Sequence, residues 1–418
     1  MDHPVIVSTA RTAIGTAFRG SLRDVDAMEL GTRAVADAVR RSGIDPADVD
    51  DVLMGESRYG GGDIARYAAI EAGLVNAPGV ALNRHCASAL AAIQGGAASI
   101  GAGMDRVVVA GGSHSPSTAP RSTKRIPGTD EWGDWAPPSH RETPDAPNED
   151  MSISVGWNAA VKAGVTRQEM DAWAHRSHQR AVAGIDAGSF VEEIFPVVVV
   201  RRDGSRFTFA VDEHPRRDSS LEKLASLKPL HPEIEGFSIT AGNSSGVNDA
   251  AAAVVIASRA FSEDHGLRPL AVVRGWASAG VEPRDTGLAP TVAIPKALAR
   301  CGLQIGDVTL WEINEAFAAM CVATTRILAI DDAIVNVLGS GCSLGHPTGT
   351  TGARMVITLI HELRRRGGGV GVASMCAGGG MASAMVLEVP PPPAARRLTG
   401  AGRSRDRPNH ATACTGTT

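Results

Sequence analysis

At 418 residues with 43% hydrophobic composition, the chain can bury a large core, and its length points to two or three structural units. A formal net charge of -4 leaves no basic footprint for nucleic acid, and no apolar run reaches the roughly 20 residues that a membrane span needs. The opening segment lacks a secretory pattern and the six cysteines show no CxxC spacing, so the chain reads as a cytoplasmic protein with reduced thiols, without a disulfide framework or a zinc site.

In chain order, VIVSTA alternates like a strand, with Val5 and Val7 on one face. Next, GIDPADVDDVLMGE (43–56) reads as a helix end, a turn and a strand, and it aligns without a gap with GLQIGDVTLWEINE (302–315). A second match follows each copy. In the first half it is VALNRHC, a small-residue helix and RVVVAGG; in the second it is AIVNVLGSGC, another helix and GVGVASMCAGGG. Both halves read strand, helix, strand, which predicts two packed and mostly parallel sheets. From Cys86 to Gly103 no residue is charged, and Leu90, Ile93, Ala97 and Ile100 recur at helical spacing; the counterpart after Gly345 carries only Arg354 before Glu362. Helices without a polar face belong inside, so both are expected between the sheets of a layered α/β fold.

On this reading residues 1–113 with about 241–265 form one half and 266–389 the other. Between them, 114–240 is an excursion rich in Pro, Ser and charge, expected to cover the substrate, with Trp132 and Trp135 as candidate anchors and an amphipathic helix from Arg167. The tail, 390–418, cannot bury a core; it is expected to be disordered, with Cys414 a bystander.

Four segments carry candidate chemistry. Cys86 sits where an extended segment becomes a helix, which favours a thiolate, although taken alone it fits a buried structural thiol better than a nucleophile. His346, in GSGCSLGHPTG, fits a general base or a hydrogen-bonded structural histidine equally well. Cys376, in MCAGGG, ends an apolar strand and precedes three glycines, Gly378 among them, whose backbone N–H groups can approach a ligand, or which merely make a tight turn. Asn314, in NEAFA, alone reads best as a helix cap.

Together these segments resemble the thiolase family over roughly residues 1–389. Thiolases carry NRxCASG, TAGNxSGxNDGAAA, NEAFA, GxxxGHPxGxxGAR and CxGGGxG in that order; this chain has NRHCASA, TAGNSSGVNDAAAA, NEAFA, GCSLGHPTGTTGAR and CAGGGMA. It departs at Ala89, Ala250 and Ala382, where the family commonly has Gly, and in the 114–165 region, where HSPS stands for ESMS and MSISVG, from Met151, for MGxTAE. The resemblance implies duplicated α/β halves layered αβαβα, and an acyltransferase that condenses acyl-CoAs, or cleaves 3-ketoacyl-CoA with coenzyme A, through an acyl-cysteine. It implies that Cys86 takes the acyl group after His346 removes its proton, and that Cys376 moves the α-proton. The N–H groups of Cys86 and Gly378 would form one oxyanion site, and His346 with a water on Asn314 the other. Ser245 would lie along the pantetheine arm, Arg216 and Lys228 near the nucleotide, and Met151 on the coenzyme side. Coenzyme A is then a substrate; no cofactor or metal is required, and a homodimer or homotetramer is expected.

Three other readings compete. GSGCSLG as a dinucleotide fingerprint requires glycine where Leu344 stands. A degenerate acyl-CoA-binding protein would not need Cys86, His346 and Cys376 together. A ketoacyl-synthase-like enzyme would usually pair one Cys with His or Asn partners, whereas here Cys376 is a second Cys.

Overall fold

The computed structural model of the chain describes residues 3–57 and 63–391. The tail from 392, with Cys414, lies outside the described residues, so the expectation of disorder there does too.

The first half runs β1 (Val5–Arg11), a short β2 (Gly15–Thr16), α1 (Ala27–Ser42), β3 (Asp51–Gly55), α2 (Ile64–Glu71), β4 (Val80–Leu82), α3 (Ser88–Gly101) and β5 (Val107–His114). Helix α1 starts where the Asp26 side chain accepts from the Met28 N–H, and stops at Gly43, whose φ of 72° suits glycine. The excursion holds a hairpin of β6 (Thr123–Arg125) and β7 (Trp132–Asp134), then α4 (Asn158–Ala163), α5 (Arg167–Asp186), a hairpin of β8 (Val197–Val200) and β9 (Arg206–Phe209), and α6 (Leu221–Ala225). After β10 (Asn248–Ala257) and α7 (Arg259–Asp264), the second half runs β11 (Ala271–Gly280), α8 (Pro290–Arg300), β12 (Leu310–Ile313), α9 (Ala318–Leu328), α10 (Gly341–Leu344), α11 (Thr351–Arg365), β13 (Gly369–Ala377) and β14 (Met381–Val389).

The aligned segments share one geometry. In each, a helix ends at a left-handed glycine, Gly43 or Gly302, a single 3-10 turn follows, and β3 or β12 begins. Apart from the two hairpins, the strands form one hydrogen-bonded path, β12-β13-β14-β11-β1-β10-β5-β3-β4, with β2 on β10. The two half-sheets meet at β1 and β11 through only two pairs, Val5 with Val272 and Ile6 with Ala271. They still face each other: Ile6, Val108 and Val254 of one and Val273, Met375 and Leu387 of the other share a core cluster with α3 and α11. The expected central helices are thus in place, with Leu90, Ile93, Ala97 and Ile100 all buried. Each large apolar side chain so buried is worth about 1.5–3 kcal/mol. Close approach depends on small residues, since a Cβ at Gly352 would lie 2.5 Å from the Leu90 nitrogen. Helices α1 and α2 cover one outer face and α8 and α9 the other, which completes five layers.

Two expectations are corrected. The sheet is not mostly parallel: among the described residues only β3 with β4, β3 with β5, and β12 with β13 pair as parallel strands. A helical crossover sets parallel direction only for the strands it joins, whereas β13 returns as β14 through a glycine turn and must be antiparallel. AIVNV is not a strand either. It is a 3-10 turn, Asp332–Ile334, followed by a single bridge from Val335 to Trp311, because Asn336 turns the chain at φ 49°.

The excursion is anchored differently from the expectation. Trp132 and Trp135 are 66% and 41% exposed on the first hairpin, whereas Trp173 of α5 is 5% exposed and donates to Glu315 Oε1 at 2.9 Å. Glu315 also accepts from Ser177, Asn336 and the Cys342 N–H, so a buried carboxylate ties the excursion to the second half.

Candidate active site

The turn between β4 and α3 carries Cys86. Arg84 O accepts from the Ala87 N–H and His85 O from the Ser88 N–H and hydroxyl, so the chain folds tightly with His85 at φ 47°. Cys86 is half-buried two residues before the helix begins. Across the site, Cys376 at the end of β13 is 1% exposed, its thiol 3.5 Å from Met320 Sδ. Burial holds that thiol well above its ordinary pKa, and the nearby Cys86 pushes the same way.

His346 follows α10 and is 6% exposed. Its N–H donates to Asn248 Oδ1 at 3.0 Å, and the preceding Gly345 has no room for a side chain, since a Cβ would lie 2.4 Å from Asn248. His346 Nδ1 is 2.7 Å from Thr351 Oγ1, whose hydrogen is directed to Pro347 O. Nδ1 therefore carries the ring proton, and Nε2, 3.3 Å from Asn314 Nδ2, is the accepting nitrogen. Burial, then His114 and Arg354, push the imidazolium pKa down to about 3, so the ring stands neutral at neutral pH. Asn314 Oδ1 is buried and has no protein donor among the described residues.

Gly378 opens the turn from β13 to β14. A Cβ there would meet the His85 ring at 3.6 Å and Met151 Sδ at 3.7 Å, so the cysteine turn, the glycine turn and the start of a π-helical segment, Ser152–Trp157, converge. The turn is pinned by Thr286, whose hydroxyl accepts from the Gly380 N–H at 2.9 Å and donates to Pro283 O.

A cleft of about 830 Å³ lies beside α10. Its walls include Ser245, Arg216, Arg19, Lys223, His214 and buried Cys342. Ser245 is fixed there by its N–H to Ala316 O, which pins TAGNSSG against NEAFA. Lys228 is exposed and not among the wall residues, whereas Lys223 and Arg19 are. Met151 lies at the glycine turn, not in this cleft. The segment 339–345 makes only a four-residue helix, and a Cβ at Gly341 would lie 2.5 Å from Glu315 O, which leaves no room for a pyrophosphate. Among the described residues no group of three or more His, Cys, Asp or Glu is placed to hold a metal ion, and no helix is long and apolar enough to cross a membrane.

Sequence reasoning named Cys86, His346, Cys376, Asn314 and Gly378, and missed His85, Thr286, Lys223 and Arg19. His85 lay inside a quoted motif, but its left-handed backbone has no sequence signature. Thr286 sits in VEPRDTGLAP, a stretch with no pattern that marks chemistry.

Residues 4–260 match the thiolase N-terminal domain and residues 267–389 the thiolase C-terminal domain. The chain belongs to the thiolase family. Its chemistry is acyl transfer of the thiolase type. It is 40% identical over 391 residues to an acetyl-CoA acetyltransferase of Pseudomonas aeruginosa, covering 90% of this chain and 96% of that one. It is 38% identical over 389 residues to a 3-ketoacyl-CoA thiolase of Bacillus subtilis, with coverage of 90% and 96%. Among solved structures, the acetyl-CoA acetyltransferase of Bacillus anthracis superposes with a TM-score of 0.83 at 37% identity, over 93% of this chain and 99% of that one.

Proposed function

We propose that this thiolase joins two acyl-CoA molecules, or cleaves a 3-ketoacyl-CoA with coenzyme A, through a thioester on Cys86. The observations that carry the reading are the neutral His346, its Nε2 left accepting beside Asn314, and a half-buried Cys86 close enough to the buried Cys376 thiol to raise its pKa. His346 takes the Cys86 proton, the thiolate attacks the thioester carbonyl, and coenzyme A leaves as a thiol, carrying the proton that His346 returns. The Cys86 and Gly378 N–H groups hold the oxyanion of the tetrahedral intermediate. Cys376, kept protonated by burial at rest, passes its proton to the neutral His346, and the thiolate so formed takes the α-proton of the second acyl-CoA; in thiolysis the Cys376 thiol gives its proton to the departing enolate. Asn314 Oδ1, buried without a protein donor, suits a water that with His346 faces the enolate oxygen.

Coenzyme A is a substrate in this scheme, and the 830 Å³ cleft is its seat. Ser245 flanks the pantetheine arm, and Arg216, with Lys223 and Arg19, attracts the phosphates; Lys228 does not line this cleft. A cytoplasmic homodimer or homotetramer completes the proposal, and analytical ultracentrifugation tests the assembly. The central test is Cys86→Ala. Intact mass after exposure to acetyl-CoA is expected to show one acetyl adduct on the wild type and none on the folded variant; an equal adduct on both would remove Cys86 as nucleophile.

A further inference from the structure

His346 stands in no helix or strand. Helix α10 ends at Leu344, α11 begins at Thr351, and between them Gly345 turns the chain at φ 103° ahead of Pro347, which has no N–H to give. A base on such a loop is aimed only as well as its backbone is held. The holding group comes from the other half of the chain. Asn248, the first residue of β10 and 0% exposed, accepts from the His346 N–H through Oδ1 at 3.0 Å and donates through Nδ2 to Gly15 O of β2 at 3.0 Å. These partners fix which way the amide faces, since a backbone N–H needs an oxygen and a carbonyl needs an N–H. The strand beneath it is tied down as well: Asn248 pairs with Thr16, and the Ala17 N–H donates to Val247 O at 3.0 Å.

We infer that Asn248 is a positioning residue for the reaction: it ties the His346 backbone to the first half of the chain and so fixes where the imidazole stands relative to Cys86. The inference rests on the reading of His346 as the base that activates Cys86. Cys86 follows β4, and β4 joins β10 through β3 and β5, so Cys86 and Asn248 belong to one half-sheet. Thr351, at 2.7 Å from Nδ1, sets the rotation of the ring, but it lies in the same half as His346 and cannot set the loop against the other half. Packing of α11 on α3 places the helix; the Asn248 amide places the loop ahead of it. The task suits an amide of this length, which accepts at one atom and donates at the other, whereas an ionised carboxylate only accepts and an alkyl group does neither.

The test is the rate constant for acetylation of Cys86 at saturating acetyl-CoA, read by rapid-quench mass spectrometry. Adduct amplitude counts the folded sites, so lost protein is not read as slow reaction. Misplacement by about 1 Å costs up to about 10²-fold, so Asn248→Leu, similar in size but without either bond, is expected to slow acetylation by about 10-fold to 10²-fold. Asn248→Ala, whose small side chain admits water to both groups, is the parallel variant and is expected to slow by at least about 10-fold. Asn248→Asp keeps an acceptor for the His346 N–H and is expected to stay within about threefold of wild type. The decisive readout is a cycle with His346→Ala. If Asn248 acts through His346, adding Asn248→Leu to His346→Ala slows acetylation no further, whereas a general loss of packing costs the same factor in both backgrounds. A wild-type rate in Leu and Ala, a loss in Asp equal to that in Leu, or full additivity in the cycle overturns the inference. The base is read separately: a wild type without adduct would sink the acyl-enzyme reading, and His346→Ala at the wild-type rate would sink His346 as base. A slowed His346→Ala beside an unslowed Asn248→Leu sinks only the role of Asn248.

Discussion

The two halves of the chain repeat one scaffold and equip it with opposite chemistry. At the start of the central helix the first half places Cys86, half-buried, and the second places His346, 6% exposed. Where β3 ends, Gly55 lets α3 approach, since a Cβ there would lie 2.3 Å from the Ala89 nitrogen; at the aligned end of β12 stands Asn314. The difference teaches a division of labour set by exposure. On the proposed assignment the nucleophile must meet an incoming thioester, and Cys86 is the less buried of the two residues. The groups proposed as proton handlers gain from dryness, since burial keeps both the His346 imidazole and the Cys376 thiol neutral at rest.

The largest expected effect comes from removing the proton handlers one at a time. Cys376→Ala is expected to accept an acetyl group on Cys86 at close to the wild-type rate, yet to lose at least about 10²-fold to 10⁴-fold in condensation and thiolysis, the usual worth of a general acid-base group. His346→Ala is expected to slow acylation as well. Rapid-quench mass spectrometry of the adduct, run beside steady-state thiolysis, separates the two. Loss of acylation in Cys376→Ala with retention in His346→Ala would reverse the assignment.

A smaller effect distinguishes the halves by pH. His346 in the folded chain has its pKa pushed down to about 3, against an ordinary value of 6.5, chiefly by burial. Between these values the unfolded chain binds a proton that the folded chain refuses, so stability is full above about pH 6.5 and is lost as pH falls toward 3. At pH 5 this one group costs about 2 kcal/mol. His178, also lowered to about 3, acts in the same direction. Urea unfolding of wild type and His346→Asn at pH 7.5 and pH 5 measures it. The variant is expected to lose about 2 kcal/mol less between the two conditions, and equal losses would mean that His346 titrates normally.

The duplication and the motifs were legible in the sequence because each is short-range. The spacing from Gly43 to Glu56 and from Gly302 to Glu315 encodes a helix stop, a turn and a strand within 14 residues, and Cys86, His346 and Cys376 each lie within a recognisable run. What stayed hidden depends on partners far along the chain. Nothing local says that β10 inserts between β1 and β5, or that Val5 and Ile6 bridge to Ala271 and Val272. Trp173 was passed over for Trp132 and Trp135 because composition does not reveal the Glu315 carboxylate that seats it. Lys228 was named for its charge, while the fold turns Lys223 toward the cleft.

The smallest effect concerns how each half holds the turn beyond its strand. After β5, Asp249 accepts from the Ser117 N–H and hydroxyl; after β13, Thr286 alone accepts from the Gly380 N–H. The first rests on a carboxylate, whereas the second rests on neutral bonds, the Thr286 hydroxyl joined by the Val281 N–H that donates to Gly380 O at 2.7 Å, yet the second supports the turn that carries Gly378. Thr286→Val removes the bond and keeps the shape. A net hydrogen bond is worth about 0.5–1.5 kcal/mol, so kcat is expected to fall by roughly 2-fold to 10-fold with little change in KM for coenzyme A, whose proposed cleft does not include Thr286. Thr286→Ser keeps the hydroxyl and should recover most of the rate. If Val and Ser were equally impaired, packing around residue 286 would explain the loss, and the turn would be rigid without the bond.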